Sequence, residues 1–581
     1  MCGITGIITK DDHSIKEDLL KTLKRLEYRG YDSVGFATND GFFKKSTLPI
    51  SDFINSVDSD LRSNISISHT RWATHGGVNE NNAHPHFDKT QKVFCAHNGI
   101  IENFNDLKEE LEDEGYSFKT ETDSEIIPNF FHKGMVKEGK SFEIIAKEFI
   151  KKVKGTFAIL LIIGDGRLYA LKRDSPLALG ITEKGFILAS DIYSFSNKTD
   201  KAIFFGDDEF AIIDKDKYAF FDKDGKNIDK EITSFEWSVE EEKLDEYPHY
   251  MIKEIKEQPI TSRRLIESLK RDQANRLKEF ENLIKDSKRV VFVASGTSYH
   301  ASLVGVHLLN KQGIESHAVI ASEFENFYLV DDKTLILAVS QSGETMDVVT
   351  VIKKARKNGA KIASIVNVPY STIQRHSDTS IEILAGQEVC VASTKAFTNQ
   401  LIALFSIARS FGYDNNLENI PDRIKETLDI NEEIIKELAQ KLYEKNDMFI
   451  LGKGATYPIA REIALKLKEI PYVHAEGMMA GELKHGTIAL IEDGTPVFCL
   501  VPGKNLEMLS SAKEVESRGA KTIIIGNKEG IEPDILLPES DEKEFSIYSS
   551  LIGHLLSYYI GVLRGVNIDK PRNLAKSVTV H

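Results

Sequence analysis

The chain has little cysteine, tryptophan or proline: its 581 residues include 4 Cys, 2 Trp and 15 Pro. Four cysteines in a chain of this length do not make a disulfide framework, which predicts a reducing compartment and therefore the cytoplasm. Because no apolar run of about 20 residues stands out, we expect no segment that crosses a bilayer. The N-terminus also lacks the charged-then-apolar pattern of a secretory signal.

The chain has fewer basic than acidic residues: 74 Lys and Arg and 89 Asp and Glu give a net charge of −15. A chain this acidic is a poor general binder of nucleic acid or anionic membranes, although a local basic pocket stays possible. The 41% hydrophobic and 28% charged residues are typical of a globular protein and exclude a mostly disordered one. The length predicts about three or four domains.

The character of the chain changes after an acidic, apolar-poor stretch at residues 236–246. Before it, short apolar strands, turns and a few helical segments predict an α+β domain. After it, strands of β-branched residues at 289–294, 334–339 and 361–366 alternate with helical periods. This alternation predicts doubly wound parallel α/β sheets.

The second half of the chain also repeats itself. Ser295-Gly296-Thr297 parallels Lys453-Gly454-Ala455, and Gly343 after one apolar strand parallels Gly503 after another, at nearly constant spacing. The matches predict a duplicated α/β unit.

Cys2 directly follows the initiator methionine. Removal of that methionine leaves Cys2 with a free α-amine, whose pKa of about 8 suits it to act as base for the adjacent thiol. Position alone favours the alternative of an ordinary residue at a frayed terminus. Asn98 and Gly99 offer the amide and the unhindered N–H of an oxyanion hole. Arg71 can clamp a carboxylate through two hydrogen bonds, and Asp123 can receive an ammonium.

A hydroxyl-rich loop connects a predicted buried strand to a predicted helix. It reads Ser340-Gln341-Ser342-Gly343-Glu344-Thr345. Hydroxyls and backbone N–H groups delivered to a helix N-terminus favour an anion such as phosphate, although the loop lacks the Gly-Lys-Ser/Thr ending of a Walker A motif. The alternative is a helix cap that binds nothing. Turns at Ser298 and Ser393 also follow strands or precede helices, so the three could meet at one sheet edge.

Two clusters of ionisable residues could form functional sites, but each also has a simpler interpretation. Glu462, Lys466 and Glu469 share one face of a predicted helix, but a Glu–Lys pair at this spacing is also common on protein surfaces. Five histidines lie between His69 and His97. No pair of them has the spacing of a zinc motif, so we expect no metal there.

Taken together, these motifs resemble known families. Cys2-Gly3-Ile4, residues 69–76, His97-Asn98-Gly99 and Glu121-Thr122-Asp123 resemble the N-terminal-nucleophile glutamine amidotransferase domain. The hydroxyl-bearing turns resemble the sugar isomerase domain, and the internal repeat implies two copies of it. From Cys2 to the last residues, the chain resembles the family of glutamine–fructose-6-phosphate aminotransferases (isomerising).

For the glutaminase half, the resemblance implies hydrolysis of glutamine through a cysteinyl thioester. Cys2 would be nucleophile and base, and Asn98 and Gly99 the oxyanion donors. The resemblance also implies an ammonia channel with Trp72 as its gate. The residues implied at the glutamine carboxylate and amine are Arg71, Thr74, His75 and Asp123.

For the sugar half, the resemblance implies that His485 opens the ring and Lys576 forms a Schiff base. Glu469 would then move a proton, assisted by Lys466 and Glu462. The residues implied at the phosphate and the sugar are Ser298, Ser340, Gln341, Ser342, Thr345, Val391, Ser393 and Ala575. The implied partners are glutamine, fructose 6-phosphate and a second copy in a homodimer. Nucleic acid, membrane, metal and organic cofactor are not implied.

The predicted fold class is an α+β N-terminal-nucleophile glutaminase domain followed by two α/β doubly wound sugar isomerase domains. The predicted boundaries are a glutaminase domain at 2–238, a linker and helical lead-in at 239–285, sugar isomerase domains at 286–425 and 426–570, and a catalytic tail at 571–581.

Two other functions disagree with the sequence. A phosphoribosyl amidotransferase would need a Gly-Thr loop after its paired acids, whereas Lys333-Thr334-Leu335 follows Asp331-Asp332. A sugar-phosphate-sensing regulator would need a basic DNA-binding region, which disagrees with the net charge of −15.

Overall fold

The structure is a computed structural model, and it describes residues 2–235, 243–414, 416–528 and 530–578. The chain forms two compact units, one of residues 1–241 and 575–581 and the other of residues 242–574. The end of the predicted glutaminase domain, at residue 238, lies outside the described residues.

The strands of the first unit are mostly short. They are β1 (Gly3–Ser14), β2 (Ser33–Thr38), β3 (Phe43–Ser46), β4 (Arg62–Arg71), β5 (His86–Phe87), β6 (Phe94–Ile101), β7 (Gly155–Ile162), β8 (Leu168–Arg173), β9 (Ala178–Thr182), β10 (Gly185–Ala189), β11 (Lys201–Phe204), β12 (Glu209–Ile213), β13 (Tyr218–Phe221), β14 (Asn227–Ile228) and β15 (Thr233–Ser234). Its α-helices are α1 (Ile15–Asp18), α2 (Ile50–Asn55), α3 (Phe104–Asp113), α4 (Ile126–Phe131) and α5 (Phe142–Lys152). Short 3-10 or π segments lie at Leu19–Leu23, Lys24–Arg29, Asp123–Glu125, His132–Lys137 and Ile192–Ser194.

Two antiparallel sheets pack face to face in the described part of this unit, with strand orders β15-β11-β9-β10-β1-β4-β2-β3 and β14-β13-β12-β8-β7-β6-β5. Strand β7 is apolar on both faces because each face is covered. Ala158 and Leu160 enter the core between the sheets, whereas Phe157 and Ile159 pack against the outer helices α3 to α5. Alternate residues of one strand therefore supply two cores. This is the α+β architecture expected from the sequence.

The second unit contains eleven α-helices among its described residues. They are α6 (Tyr250–Lys270), α7 (Ala274–Asp286), α8 (Gly296–Lys311), α9 (Phe324–Phe327), α10 (Met346–Lys357), α11 (Thr372–Arg375), α12 (Lys395–Arg409), α13 (Ile420–Leu442), α14 (Tyr457–Glu469), α15 (Leu506–Glu516) and α16 (Phe545–Leu563). Its 3-10 segments are Ala321–Glu323, Leu417–Asn419, Gly454–Thr456, Glu482–His485 and Thr487–Leu490.

The strands of this unit form two parallel sheets. The first contains β16 (Arg289–Ala294), β17 (Ser316–Ile320), β18 (Thr334–Ser340), β19 (Lys361–Val366) and β20 (Thr379–Glu382). The second contains β21 (Asp447–Gly452), β22 (His474–Met479), β23 (Pro496–Val501), β24 (Lys521–Gly526) and β25 (Ile535–Leu536).

The two parallel sheets have the same topology. Their strand orders are β17-β16-β18-β19-β20 and β22-β21-β23-β24-β25, so both follow the order 2-1-3-4-5. Each also has a glycine in the left-handed region at the two predicted equivalent places. The φ angles are 56° at Gly296 and 57° at Gly454, then 65° at Gly343 and 58° at Gly503. The predicted duplication is confirmed down to the backbone of these turns.

Helix α16 corrects one expectation from the sequence. Its 19 residues are long and apolar enough to cross a membrane, although no such segment was expected. Ser, His and Tyr side chains interrupt its apolar sequence, yet 83% of an 18-residue window of the helix is buried inside the protein. A buried core helix passes the same test of length and composition, and α16 packs against α13 and α14.

Candidate active sites

The first site lies where β1 and β4 run side by side in the first unit. Gly3 pairs with Thr70, which brings Cys2, the residue before β1, beside Trp72, just after β4. The backbone N–H of Trp72 donates to the Cys2 Sγ at 3.3 Å. Burial raises the pKa of the Cys2 thiol, so a base is needed to form the nucleophilic thiolate near neutral pH.

Strand β6 supplies the two predicted oxyanion donors. The Asn98 side-chain amide donates to the Cys2 carbonyl at 3.0 Å, so the structure brings these two residues together. Gly99 has a φ of 136°, and a Cβ there would lie 2.1 Å from the Thr156 carbonyl on β7. Only glycine fits this close approach between β6 and β7.

Arg71 is buried, and its guanidinium binds the loop that follows it. It donates to the carbonyls of His75, Gly76 and Gly77. This contact shapes the turn that carries the other two predicted carboxylate ligands, Thr74, which is exposed, and His75, which is half-buried. Arg71 thus organises the loop whether or not it also binds substrate.

Asp123 and Trp72 have structural partners of their own. Asp123 is buried and accepts from the Ile101 N–H at 2.7 Å. The charges of Asp123 and Cys2 both act on the pKa of Arg71, which burial lowers. Trp72 is half-buried and packs edge-to-face on Tyr31, with the ring centroids 5.6 Å apart.

Four of the five histidines form a buried row behind this site. The rings of His69 and His84 stack with centroids 4.0 Å apart, and those of His84 and His86 meet edge-to-face at 4.4 Å. Burial lowers the pKa of each, that of His69 to about 3, so the imidazoles are neutral near pH 7. His97 bonds Ser124, next to Asp123, at 2.8 Å. Among the described residues no His, Cys, Asp or Glu group is arranged to hold a metal ion.

The second site lies at the carboxyl edge of the first parallel sheet. Strand β18 ends at Ser340, and its hydroxyl accepts from the Gly343 N–H and contacts the Thr345 hydroxyl, both at 3.0 Å. The Ser342 hydroxyl accepts from the Glu344 N–H. The loop therefore curls back on its own hydroxyls and leads into the N-terminus of α10, where the helix dipole favours an anion.

The strand order places this loop at a switch point. In a sheet of order 2-1-3-4-5, chains leave the first and third strands toward opposite faces, and ligands bind between their ends. Here those strands are β16 and β18, so Ser298, in the first turn of α8, lies beside the loop after Ser340. Ser298 is buried and accepts from the Gln400 amide at 2.9 Å. Gln341 is half-buried.

The third predicted turn is held by a carboxylate that sequence reasoning missed. Glu388 is buried and accepts from the Ser393 hydroxyl at 3.0 Å and from the N–H groups of Thr394 and Ala396. It thereby caps α12 and fixes Ser393. Val391, in the same turn, donates its N–H to the Asp569 carbonyl at 3.0 Å. Nothing in the spacing around Glu388 signals this role.

The charged face of α14 is buried rather than exposed. Lys466 Nζ lies 2.6 Å from Glu469 Oε2 and 3.3 Å from Glu462 Oε1, and both Lys466 and Glu462 are 1% exposed or less. Burial alone would raise the pKa of Glu462, but Lys466, His300 and His554 together outweigh it and lower that pKa to about 2. Burial would lower the pKa of Lys466, and the two carboxylates raise it instead.

The first repeat completes this ion cluster. From α8, the Thr297 hydroxyl donates to Glu462 at 3.0 Å, and His300 Nδ1 lies 2.7 Å from the other Glu462 oxygen. Lys466 also donates to the Thr297 hydroxyl. Thr297 and His300 were missed as site residues, although their spacing on one face of α8 was the available signal. We call these five residues the α8–α14 ion cluster: Thr297, His300, Glu462, Lys466 and Glu469.

A cavity of about 450 Å³ opens beside Glu469. The chain at Arg572, Asn573 and Leu574 lines it, and the Arg572 guanidinium stacks 4.2 Å over the Tyr472 ring. The segment just before Ala575 and Lys576 thus shares a cavity with the predicted base. Ala575 and Lys576 themselves group with the first unit.

His485 is not joined to the ion cluster. It ends the 3-10 segment after β22, where it is exposed. Within the described part of the chain, the structure gives His485 no hydrogen-bond partner.

Comparisons with known proteins match both halves. A family model described as a glutamine amidotransferase domain matches residues 69–197, and one described as a SIS domain matches residues 283–408 and 441–532. The chain is thus an amidotransferase joined to a duplicated sugar isomerase module. A solved C-terminal domain of glucosamine-fructose-6-phosphate aminotransferase from Francisella tularensis is 34% identical. It covers 57% of this chain and 100% of that chain, with a TM-score of 0.53.

Full-length relatives are more informative. The enzymes named glutamine--fructose-6-phosphate aminotransferase [isomerizing] from Thermococcus kodakarensis and Methanothermobacter thermautotrophicus are 40% and 39% identical. Both alignments cover 100% of this chain and 100% of the relative. The chain belongs to the family of glutamine–fructose-6-phosphate aminotransferases (isomerising).

Loss of the cluster cation should destabilise the protein. We expect Lys466→Met to lower the free energy of unfolding by about 3–5 kcal/mol, because the carboxylates stay buried without their partner. Lys468→Met, at an exposed position of the same helix, should change it by less than about 0.5 kcal/mol. Denaturant unfolding at neutral pH measures both.

The same comparison has a pH dependence. Because the pKa of Glu462 is lowered from 4.5 to about 2, its stabilisation is complete above pH 4.5 and is lost as the pH falls toward 2. The difference between wild type and Lys466→Met should therefore shrink over that range. Equal stability of the Lys466 and Lys468 variants at neutral pH would contradict the assignment.

Proposed function

We propose that this chain converts glutamine and fructose 6-phosphate into glutamate and glucosamine 6-phosphate, the first step of amino-sugar synthesis toward UDP-N-acetylglucosamine. The observation that carries the proposal is a full-length likeness to enzymes of that name. A thiol held next to oxyanion donors in one unit and a hydroxyl loop at a helix N-terminus in the other support it.

In the glutaminase reaction, the α-amine of processed Cys2 takes the thiol proton and the thiolate attacks the glutamine amide carbon. Asn98 and Gly99 stabilise the oxyanion, which is the largest single contribution in such sites. The amide nitrogen leaves as ammonia, and water hydrolyses the thioester to glutamate. We assign Arg71, Thr74 and His75 to the glutamine carboxylate and Asp123 to its ammonium.

In the sugar reaction, Ser298, Ser340, Gln341, Ser342 and Thr345 bind the phosphate. Val391, Ser393 and Ala575 contact the sugar. His485 opens the ring, since an imidazole can give and accept a proton near neutral pH. The Lys576 amine then forms a Schiff base with the C2 ketone.

Ammonia displaces Lys576 from C2, and Glu469 transfers a proton from C1 to C2. Lys466 stabilises the charge that develops on the sugar oxygen, and Glu462 orients Lys466, as their buried contact allows. We assign Trp72 the gate of a channel that carries ammonia between the two reactions without loss to water.

The enzyme is further proposed to act in the cytoplasm as a homodimer, without nucleic acid or membrane partners. The Schiff base supplies the electron sink, so the proposed chemistry includes no metal or organic cofactor. The acidic net charge of −15 and four unpaired cysteines support the intracellular part of this proposal.

Cys2→Ala should abolish glutamate release and glutamine-dependent formation of glucosamine 6-phosphate. Conversion of fructose 6-phosphate to glucose 6-phosphate should continue, because the sugar half holds its own acid, base and lysine. Mass spectrometry of the sugar products and a glutamate assay measure both activities. The matched control is Cys95→Ala, at a buried cysteine in β6 that we place in neither site. Wild-type glutamate release by Cys2→Ala would end the assignment of the nucleophile.

Ser340→Ala should raise KM for fructose 6-phosphate about 10- to 150-fold and leave KM for glutamine unchanged. The reason is the loss of one charge-assisted hydrogen bond, of about 1.5–3 kcal/mol. Ser406→Ala is the control, because among the described residues that buried hydroxyl bonds only the Ile402 carbonyl of its own helix. Steady-state kinetics, with each substrate varied in turn, measure both KM values. A similar rise in both KM values would point to a folding defect and against a phosphate site.

Borohydride added with fructose 6-phosphate should trap a covalent sugar adduct on Lys576, because reduction fixes a Schiff base as a stable amine. Peptide mass mapping locates the adduct. Lys576→Arg should give no adduct, whereas Lys570→Arg, six residues earlier in the chain and just before the predicted tail, should label as the wild type does. An adduct on another lysine, or none under turnover, would remove Lys576 from the mechanism.

A further inference from the structure

His554 lies in the middle of α16 and is completely buried. Within the described residues, neither of its ring nitrogens has a hydrogen-bond partner. A buried polar group without a partner destabilises the folded state, and such groups are rare in folded proteins. An imidazole with two unpaired nitrogens in a core therefore calls for a physical explanation.

The neighbouring polar groups of α16 are already used. Ser550 donates to the Ile547 carbonyl and Ser557 to the His554 carbonyl, each within the helix. On the facing helix α12, Phe397 presents its ring edge-to-face to the imidazole, with the centroids 6.3 Å apart. None of these groups supplies a partner for the ring nitrogens.

Charged groups of the candidate sugar site act on His554. Burial lowers its pKa to about 4, Glu462 and Glu388 raise it, and Lys466 lowers it. Glu462 and Lys466 belong to α14, which packs against α16, and Gly553, next to His554, lies directly against Ile463, next to Glu462. Glu388 belongs to the turn before α12, the helix whose Phe397 contacts the ring. At neutral pH the imidazole is therefore uncharged, with one nitrogen that donates and one that accepts.

We propose that His554 is a positioning residue for the sugar reaction, and that it acts through a buried water molecule bonded to one ring nitrogen and to the Glu462 carboxylate. A polar interior site with unpaired groups is where proteins hold such water. Glu462 has the capacity, because its Oε2 accepts only from His300 within the described residues. The water would fix Glu462, which in turn holds Lys466 in the α8–α14 ion cluster.

This proposal rests on the proposed function only through its kinetic test. His554→Gln keeps a donor and an acceptor for the water, whereas His554→Leu removes both at similar volume. We expect His554→Leu to lower kcat for conversion of fructose 6-phosphate to glucose 6-phosphate about 5- to 30-fold, with KM within about twofold. His554→Gln should keep at least about a third of wild-type kcat. Glutamate release should not change in either variant.

The structural test does not depend on activity. A crystal structure of the wild-type chain should show an ordered water about 3 Å from a ring nitrogen of His554 and from Glu462. The His554→Leu crystal should lack it. If the Leu variant does not fold, the wild-type crystal and the Gln variant decide between the outcomes.

Three results would overturn the proposal: wild-type kcat in a folded His554→Leu variant, equal losses of kcat in the Gln and Leu variants, or a dry contact around His554 in the crystal. A wild-type enzyme that makes no glucosamine 6-phosphate, with the water in place, would instead count against the proposed function alone.

Discussion

A lysine ammonium enclosed in the protein is the constraint on which the second unit depends. Lys466 cannot lie in the interior without carboxylates, and Glu462 and Glu469 lie on the same face of α14 to meet it. The carboxylate oxygens of Glu462 can accept further hydrogen bonds, and these come from Thr297 and His300 on α8. The charge requirement thus docks a helix of one repeat against a helix of the other. Glu469, with 20% of its side chain exposed, is the member that reaches the cavity.

At its candidate site the first unit buries a row of imidazoles, and it also holds a buried ion pair between Arg29 and Asp191. Its histidine row is neutral, because burial holds the pKa values low, and it links strands and turns through neutral hydrogen bonds. His97 reaches Ser124 beside Asp123, while Asn98, the next residue on β6, reaches the Cys2 carbonyl. One short strand thereby positions both the proposed oxyanion donor and the proposed ammonium ligand. The histidine row is thus fixed by neutral hydrogen bonds, whereas the α8–α14 ion cluster is fixed by charge.

The sequence predicted local elements well, because their determinants are local. The strands expected at 289–294 and 361–366 have those bounds, since β-branched runs there end at polar or glycine residues. The face shared by Glu462, Lys466 and Glu469 followed from helical spacing alone. Its burial did not, because the covering residues Thr297 and His300 lie more than 160 positions away. Glu388 was missed for a similar reason, since only the folded turn shows which backbone N–H groups donate hydrogen bonds to it.

The equivalent glycines of the two parallel sheets have a consequence for how the protein can vary. Gly296 and Gly454 adopt nearly the same φ. The hydroxyl-bearing loops nevertheless lie in the first copy, and the charged helix α14 lies in the second. With the proposed assignments, neither copy holds a complete set of sugar-site residues, so we expect either copy expressed alone to be inert toward the sugar. The sequence of each copy can instead diverge at the positions whose role the other copy performs. The two sugar isomerase domains together, rather than either domain alone, are therefore the unit on which selection for the proposed sugar reaction acts.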